Sequence, residues 1–330
     1  LVTREYEHLV MGLGTRDGRP QVTYMRMPHP SGIAVDRDRG GRVMIAGTRN
    51  PNQVVTLAPA TAPALAQGDR PLLPVAATYY PGSLRLHDLA LVGGRLHGAA
   101  AGRDAVVRLD RDGAYAPAWW PASAAADGPP DHGNHLQLNS IAAGKNLAAS
   151  FFTASASKPG RLRPGDVRYP VDGRGVVFSG RTREVVAGGL TRPHSARLHD
   201  GVVWVDNSGY AQVGVVAGDR FEPVAALPGW TRGLCFVDDV AFVATSRVIP
   251  RFRAYAPGVD TESCGVHAVD AASGRVLASL TWPEGSQVFA VDWLPAGATS
   301  GLPFTAGRGA SADVAARLFY DYDLMQEEAR

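Results

Sequence analysis

The amino-acid sequence predicts an all-β fold, a six-bladed β-propeller that its own N-terminal strands close into a ring. Two observations predict it: a strand–turn–strand pattern recurs along the chain, and its copies are spaced like propeller blades. The clearest copy is residues 190–209, LTRPHSARLHDGVVWVDNSG, with a turn at Asp200-Gly201. An Asp-Gly pair readily adopts the positive backbone angles that a hairpin turn requires.

One position defines the repeat, near the start of the first strand of each copy. The residues at this position are Ser31, His87, Asn139, His194, Arg232 and Phe289. The intervals between them are 56, 52, 55, 38 and 57 residues. Four-stranded units that repeat every 40–50 residues or so are typical of propeller blades, and the longer intervals indicate loop insertions. We therefore predict six blades, with five or seven as the alternatives.

The two ends of the chain have different predicted roles. Residues 8–13 and 20–26 alternate as strands around a turn at Asp17-Gly18, and little strand-like sequence follows Phe289. We expect the N-terminal strands to complete the last blade, which would remove exposed sheet edges. Residues 1–310 then form one propeller domain. Residues 311–330 are expected to form a helix that begins at Ser311 and packs on the rim or on a second copy in a homo-oligomer.

Composition narrows the class of protein. Charged residues make up 19% of the chain and the net charge is +2, which does not indicate a nucleic-acid partner. No apolar run approaches the length of about 20 residues that spans a bilayer, so no membrane partner is expected. Cys235 and Cys264 give neither a disulfide framework nor a metal-finger spacing. Because the N-terminus lacks a signal-peptide pattern, we expect a cytoplasmic protein.

Several segments together resemble a known family. The segments HDLAL, LNSIA, RPHSARLHDGVVWVDNSG, FEPVAALPGWTRGL and CGVHAVD are similar to a bacterial family of six-bladed propellers known as a domain of unknown function. That family is distantly similar to strictosidine-synthase and NHL-type propellers, and the resemblance covers roughly residues 29–295. It implies the propeller fold and no particular activity. Members often read His-Leu-Asn where this chain has Gln137-Leu138-Asn139.

The predicted site follows from strand geometry. The first strand of each propeller blade lines the central channel, and residues i and i−2 of a strand point to the same side. The six repeat-defining residues would then form one ring around the channel. A second ring, two residues earlier, holds His29, Arg85, Gln137, Arg192, Trp230 and Gln287. Ordinary buried strands carry mainly Val, Ile and Ala, so these polar and aromatic rings indicate a functional channel.

The histidines predict a metal centre. His87 and His194 occupy the same repeat position, Asn139 lies between them, and His29 or His135 could supply a third nitrogen. Imidazole nitrogens suit a divalent transition metal such as Zn, Fe, Cu or Ni, and an amide oxygen can complete its coordination.

The arginines predict an anionic substrate. The planar guanidinium groups of Arg85, Arg192 and Arg232 are suited to hydrogen-bond a carboxylate or a phosphate. We assign catalytic roles to Arg192 and Arg232. The apolar walls of the substrate pocket would come from Trp230 and Phe289, and polar contacts to the substrate from Gln137 and Gln287.

The combined prediction is a metal-dependent lyase, isomerase or hydrolase that acts on a carboxylate-bearing small molecule. The alternatives are an oxygenase with histidine-bound iron, and a non-catalytic propeller that binds a ligand or a partner protein. A further alternative is that the channel residues merely hydrogen-bond to one another through trapped water. Residues 121–134 are expected to form a lid. Asp88 is assigned to structure, and Ser195 is expected to point away from the channel, so that it cannot pair with His194.

Overall fold

The computed structural model describes residues 1–305, except 39, 50, 62–68, 126–127, 129–132 and 284. The predicted C-terminal helix at 311–330 lies outside the described residues, as does part of the predicted lid. In the described part of the chain, no helix is both long and apolar enough to cross a membrane.

The chain is built almost entirely of short β-strands. It begins with β1 (Val2–Arg4), β2 (Leu9–Arg16) and β3 (Arg19–Arg26). The strands that follow are β4 (Pro30–Asp36), β5 (Arg42–Gly47), β6 (Asn52–Pro59), β7 (Leu72–Tyr80), β8 (Leu86–Val92), β9 (Arg95–Ala100), β10 (Ala105–Leu109), β11 (Tyr115–Trp119), β12 (Leu138–Ala142), β13 (Phe151–Ala154), β14 (Gly175–Ser179), β15 (Val185–Leu190), β16 (Pro193–His199), β17 (Val202–Asn207), β18 (Gln212–Ala217), β19 (Arg220–Ala226), β20 (Trp230–Val237), β21 (Val240–Ser246), β22 (Gly265–Asp270), β23 (Val276–Thr281), β24 (Ala290–Val291) and β25 (Phe304–Thr305).

The helical segments of the described residues are short 3-10 turns. They are η1 (Ala101–Arg103), η2 (Leu147–Ala149), η3 (Ser208–Tyr210) and η4 (Pro250–Tyr255). The fold is therefore all-β, as the sequence predicts.

Antiparallel meanders make up the sheets. Three sheets have four strands, in the orders β4-β5-β6-β7, β11-β10-β9-β8 and β20-β21-β22-β23. An eight-stranded sheet has the order β12-β13-β14-β15-β19-β18-β17-β16. It consists of two four-stranded meanders joined at their outer edges by one parallel bridge, Gly188 to Arg220.

The N-terminal strands share a sheet with the C-terminal part of the chain. This sheet has the order β24-β1-β2-β3-β25, with Val2 paired to Val291 and Thr3 to Ala290. Six inner strands contact one another in a closed ring, in the order β4, β8, β12, β16, β20 and β24. The arrangement is that of a propeller.

Apolar residues of adjacent meanders pack face to face. In one such core, Trp119 of β11 meets Phe152 of β13, with ring centroids 4.1 Å apart. Both side chains are buried. This packing holds the inner strands at fixed positions around the ring.

Side chains also tie each inner strand to the next. Asp88 Oδ2 accepts a hydrogen bond from the backbone of Ile141 at 3.0 Å, and Ser140 Oγ accepts one from the backbone of Ala196 at 2.8 Å. These residues come directly after His87 and Asn139, so one side of each strand faces its neighbour and the other faces the channel. The expectation that Asp88 is structural fits its position, because it also pairs with Arg197 at 2.8 Å.

Candidate functional site at the mouth of the propeller

A cavity of about 510 Å³ opens at one end of the ring of inner strands. Most of the residues that the sequence singled out line it: Arg85, His87, Gln137, Asn139, Arg192, His194, Trp230, Arg232 and Phe289. Residues far apart in the sequence therefore meet in one place, because each lies near the start of an inner strand.

Four of the predicted residues are absent from the cavity wall. Ser31 is fully buried, and its Oγ donates to the backbone oxygen of Leu86 at 2.9 Å. His29 packs edge-on against His8, with ring centroids 4.3 Å apart. His135 donates its backbone N–H to Asp104 at 2.7 Å, and neither its ring nor that of His29 lines the cavity. Gln287 is fully buried behind the wall, where its Oε1 accepts a hydrogen bond from Arg232 at 3.3 Å.

The side chains of the second predicted ring are oriented by a backbone conformation that strand alternation does not predict. His29, Arg85, Gln137 and Arg192 have φ values of 44°, 51°, 54° and 54°. Each adopts the left-handed conformation directly before an inner strand, which is uncommon for residues other than glycine. The same unfavourable conformation at four equivalent positions aims Arg85, Gln137 and Arg192 into the cavity mouth. Such clustering of strained residues is typical of functional sites.

Arg232 and His194 form a fixed pair on the cavity wall. A guanidinium group can only donate, so the 3.1 Å contact from Arg232 Nη2 makes His194 Nε2 the acceptor. His194 Nδ1 must then carry the proton, which it donates to Ser195 Oγ at 2.7 Å. The pKa of His194 lies well below its usual value, mainly because the ring is buried and also because Arg232 repels a second positive charge.

The contact between His194 and Ser195 corrects the sequence-based expectation. The register shifts between His194 and Arg197, and Ser195 has a φ of 53°. This irregularity turns the Ser195 hydroxyl back towards His194 instead of to the opposite face of the strand. Ser195 Oγ also accepts a hydrogen bond from the backbone of Gly233 at 2.7 Å, so it links two inner strands.

His87 presents a bare nitrogen to the cavity. Its Nδ1 lies 3.2 Å from the backbone oxygen of Arg85, and because a carbonyl only accepts, Nδ1 carries the proton. Nε2 therefore keeps its lone pair, and no hydrogen bond to it is found within the described residues. Burial, and secondarily the charge of Arg232, lowers the pKa of His87 to about 4, so the ring is neutral at pH 7.

Aromatic rings hold the two buried guanidinium groups in place. The guanidinium carbon of Arg192 lies 3.8 Å from the ring centroid of Tyr255, and that of Arg232 lies 4.2 Å from the ring of Phe289. Arg192 also bonds Gln137 Oε1. Burial lowers the pKa of Arg192 to about 10, which leaves it charged at neutral pH.

The charge of the cavity wall is strongly positive. Arg49, Arg85, Arg192 and Arg232 line it, against the single carboxylate of Glu5. The two lining histidines are neutral. A concave site with this excess of fixed cations attracts anions and repels metal cations.

Several lining residues were not predicted from the sequence: Glu5, Tyr6, Thr48, Arg49, Ser83, Gly165, Ser208, Phe252 and Tyr255. Phe252 and Tyr255 come from η4, inside an insertion between β21 and β22. The Tyr255 hydroxyl donates to the backbone oxygen of Gly165 at 3.1 Å, which fastens η4 over the cavity. The length of the insertion was the available signal. Of the predicted lid at 121–134, Asn134 lines the cavity.

The predicted metal ligands do not form a ready coordination sphere. Arg232 already occupies His194 Nε2, so the lone pairs left on the cavity wall, among the described residues, are those of His87 Nε2 and Asn139 Oδ1. His29 Nδ1 and His135 Nδ1 also lack a hydrogen-bond partner there, but neither ring lines the cavity. Among the described residues, one group of three His, Cys, Asp or Glu side chains has its possible metal-binding atoms within 4.8 Å of one another. It consists of His199, Asp200 and Asp239. His199 ends β16, the strand that begins next to His194, so this group lies at the other end of the channel.

Comparison with known proteins supports the fold. A family model described as a domain of unknown function (DUF4915) matches residues 1–301. A search of curated proteins finds no significant match.

Solved structures similar to this chain include a gluconolactonase from Xanthomonas campestris, with a TM-score of 0.50, 14% identity, and coverage of 78% of this chain and 77% of that one. The calcium-binding protein regucalcin from Agrobacterium tumefaciens has a TM-score of 0.50, 13% identity, and coverage of 78% and 75%. The WD40 β-propeller domain of Doa1 has a TM-score of 0.50, 9% identity, and coverage of 89% and 81%. At these identities the similarity shows a shared propeller fold.

Proposed function

The chain belongs to the DUF4915 family of unknown function, and from its site we propose that it is a small-molecule enzyme acting on an organic anion. In this proposal the fold is a six-bladed propeller, each half of the eight-stranded sheet counting as one blade. The observation that carries the proposal is the cationic wall around a concave, aromatic-lined cavity.

The arginines would bind the anionic group of the substrate. Arg192 and Arg232 are 8% and 7% exposed, so their charges are shielded from water and act strongly on a bound carboxylate. Arg232 keeps an Nε–H with no hydrogen-bond partner among the described residues. An unpartnered buried donor on a cavity wall favours a ligand that accepts its hydrogen bond. Trp230 and Phe289 would pack against the apolar part of the substrate.

His87 would take or give a proton during the reaction. A pKa of about 4 makes it a weak base in the free protein, and Arg232 contributes to that value. A bound carboxylate would offset the charge of Arg232 and so raise the pKa of His87. The base would thus strengthen when substrate is present, as a hydrolase, lyase or isomerase reaction requires.

A divalent metal ion remains a prediction. His87 Nε2 and Asn139 Oδ1 offer lone pairs, which favours a metal, whereas the neighbouring arginines disfavour one. Similarity to a calcium-binding propeller at 13% identity supports the fold alone. We therefore derive no reaction step through a metal.

A metabolite-depletion assay tests the proposed function. Wild-type protein, Arg232→Met, His87→Gln and a control variant, Arg108→Met, are each incubated with a small-molecule extract that is then compared by mass spectrometry. Arg108 is partly exposed and pairs with Asp110, and it is absent from the cavity wall. We expect an anionic compound to be consumed by wild type and Arg108→Met and to persist with the other two. If no compound changes, or if a change is the same with all four proteins, the enzyme proposal is wrong.

A further inference from the structure

We infer that the ligand of this cavity is a hydroxylated organic anion, whose hydroxyl group donates hydrogen bonds to Asn139 Oδ1 or His87 Nε2. This inference rests on the proposed anion site and names the class of its substrate. It comes from two acceptor atoms whose orientation the protein fixes and for which the part of the chain that the structure describes provides no donor.

The first acceptor is the amide oxygen of Asn139. Its Nδ2 donates to the backbone oxygen of Pro193 at 2.9 Å, and this contact requires the nitrogen because a carbonyl cannot donate. The amide is thereby oriented with Oδ1 on its other side. Oδ1 is buried and has no partner among the described residues, although Asn139 lines the cavity. Leaving such an acceptor unpaired is unfavourable, so a donor on the ligand would be selected.

The second acceptor is Nε2 of His87. The Arg85 carbonyl fixes the proton on Nδ1, so Nε2 can only accept while the ring is neutral. His87 lies on β8 and Asn139 on β12, and these inner strands are neighbours in the ring. One ligand can therefore contact both acceptors and the guanidinium groups in the same cavity.

The donor on the ligand is a hydroxyl rather than an ammonium group. An ammonium ion would enter a cavity lined by Arg85, Arg192 and Arg232, where like charges repel it. A hydroxyl donates without carrying charge. The wall thus has cationic donors for an anion and neutral acceptors for a hydroxyl, and an anion without a hydroxyl, such as an unsubstituted fatty acid, would leave these acceptors unpaired.

Matched ligand pairs test the inference. Mandelate and phenylacetate differ only by a hydroxyl, as do malate and succinate, and each is titrated calorimetrically into protein first treated with EDTA. The proteins are wild type, Asn139→Leu, His87→Leu, Arg232→Met and His97→Leu. His97 is a matched control because its Nδ1 also lies 2.9 Å from a carbonyl two residues earlier, yet it is absent from the cavity wall.

We expect wild type to bind the hydroxylated member of at least one pair about tenfold or more tightly than its partner, since the deoxy ligand leaves the acceptor unpaired. The preference should fall towards unity in Asn139→Leu or His87→Leu and persist in His97→Leu. If Asn139→Leu does not fold, the wild-type ratio and His87→Leu still decide.

Equal binding of both members of each pair, with both lost in Arg232→Met, overturns the hydroxyl inference and leaves the anion site intact. A preference that survives in both Asn139→Leu and His87→Leu also overturns it. One equivalent of metal that is bound in wild type and lost in His87→Leu would assign these lone pairs to a metal instead. Failure of all four ligands to bind would count against the anion site itself, and against this inference with it.

Discussion

Arg232 Nη2 donates to Nε2 of His194 at 3.1 Å, and this contact determines what the cavity can bind. Because of this contact, the Nε2 lone pair of His194 is not available to the predicted metal ion. The contact also keeps a positive charge beside a neutral imidazole deep in the propeller. The cavity is therefore better suited to an anion than to a cation.

The charge of Arg232 should lower the pKa of His87. Replacing Arg232 with Met should raise the pKa of His87 above about 4, because the charge of Arg232 is the second-largest cause of the lowered value after burial. An NMR titration of the histidine ring protons measures this change. In the Arg108→Met protein His87 should titrate as in wild type, and an unchanged pKa of His87 in Arg232→Met would show that the charge of Arg232 does not lower it.

Stability should depend on pH through the same histidine. His87 has a pKa of about 4 when folded and 6.5 as its ordinary value, so below pH 6.5 the unfolded chain binds more protons than the folded one. The free energy of unfolding should therefore decrease as pH falls from 6.5 towards 4. Urea denaturation across this range should show a shallower decrease for His87→Gln. An identical slope in wild type and variant would contradict the assignment.

A buried carboxyl group should have the opposite pH dependence. Asp206 pairs across the strands with His194 and is fully buried, next to the Ser195 hydroxyl and the backbone of Gly233. Burial raises its pKa well above the ordinary 3.8, so the stability that it contributes is lost as pH rises through the folded pKa.

Asp206→Asn should thus be more stable than wild type by about 1–3 kcal/mol at pH 8, and this difference in stability should be smaller at pH 4. Urea denaturation at both pH values measures this. Asp219→Asn, at an exposed position, is the control and should change little. A destabilised Asp206→Asn at pH 8 would mean that the carboxylate is charged and stabilised by Arg197 and Arg232.

The η4 segment should contribute to binding through Arg192. In Tyr255→Ala the ring that lies 3.8 Å from the Arg192 guanidinium is lost, so the charge is held less firmly. We expect the affinity for a carboxylate ligand such as mandelate to fall about three- to tenfold by calorimetry. Tyr255→Phe keeps the ring and loses only the bond to Gly165, so its affinity should stay closer to wild type. Equal losses in both variants would assign the effect to the hydroxyl.

Strand alternation was enough to predict many of the residues that line the cavity. It predicted that His87, Asn139 and His194 face the channel, because their side of the strand is determined by a period of two. It also assigned Asp88 correctly to the side that faces the next strand. These inferences needed only the repeat and the geometry of an inner strand.

The rest depended on features of the backbone that residue type does not reveal. Arg85, Gln137 and Arg192 adopt the left-handed conformation although glycine is the usual residue in that conformation. Their residue types therefore do not predict it. The register shift at Ser195 turns its side chain away from the direction that strand alternation predicts, and the residue type gives no sign of that shift either. Tyr255 reaches the cavity from an insertion, and the position of a loop residue is determined by tertiary contacts.

A crystal structure of the protein soaked with mandelate at pH 7.5 tests the central claim most directly. The account predicts density in the cavity, with the carboxylate within hydrogen-bond distance of Arg192 or Arg232 and the hydroxyl near Asn139 or His87. A metal ion bound to His87 Nε2, with Arg232 turned away from His194, would contradict it, as would a ligand bound only outside the cavity.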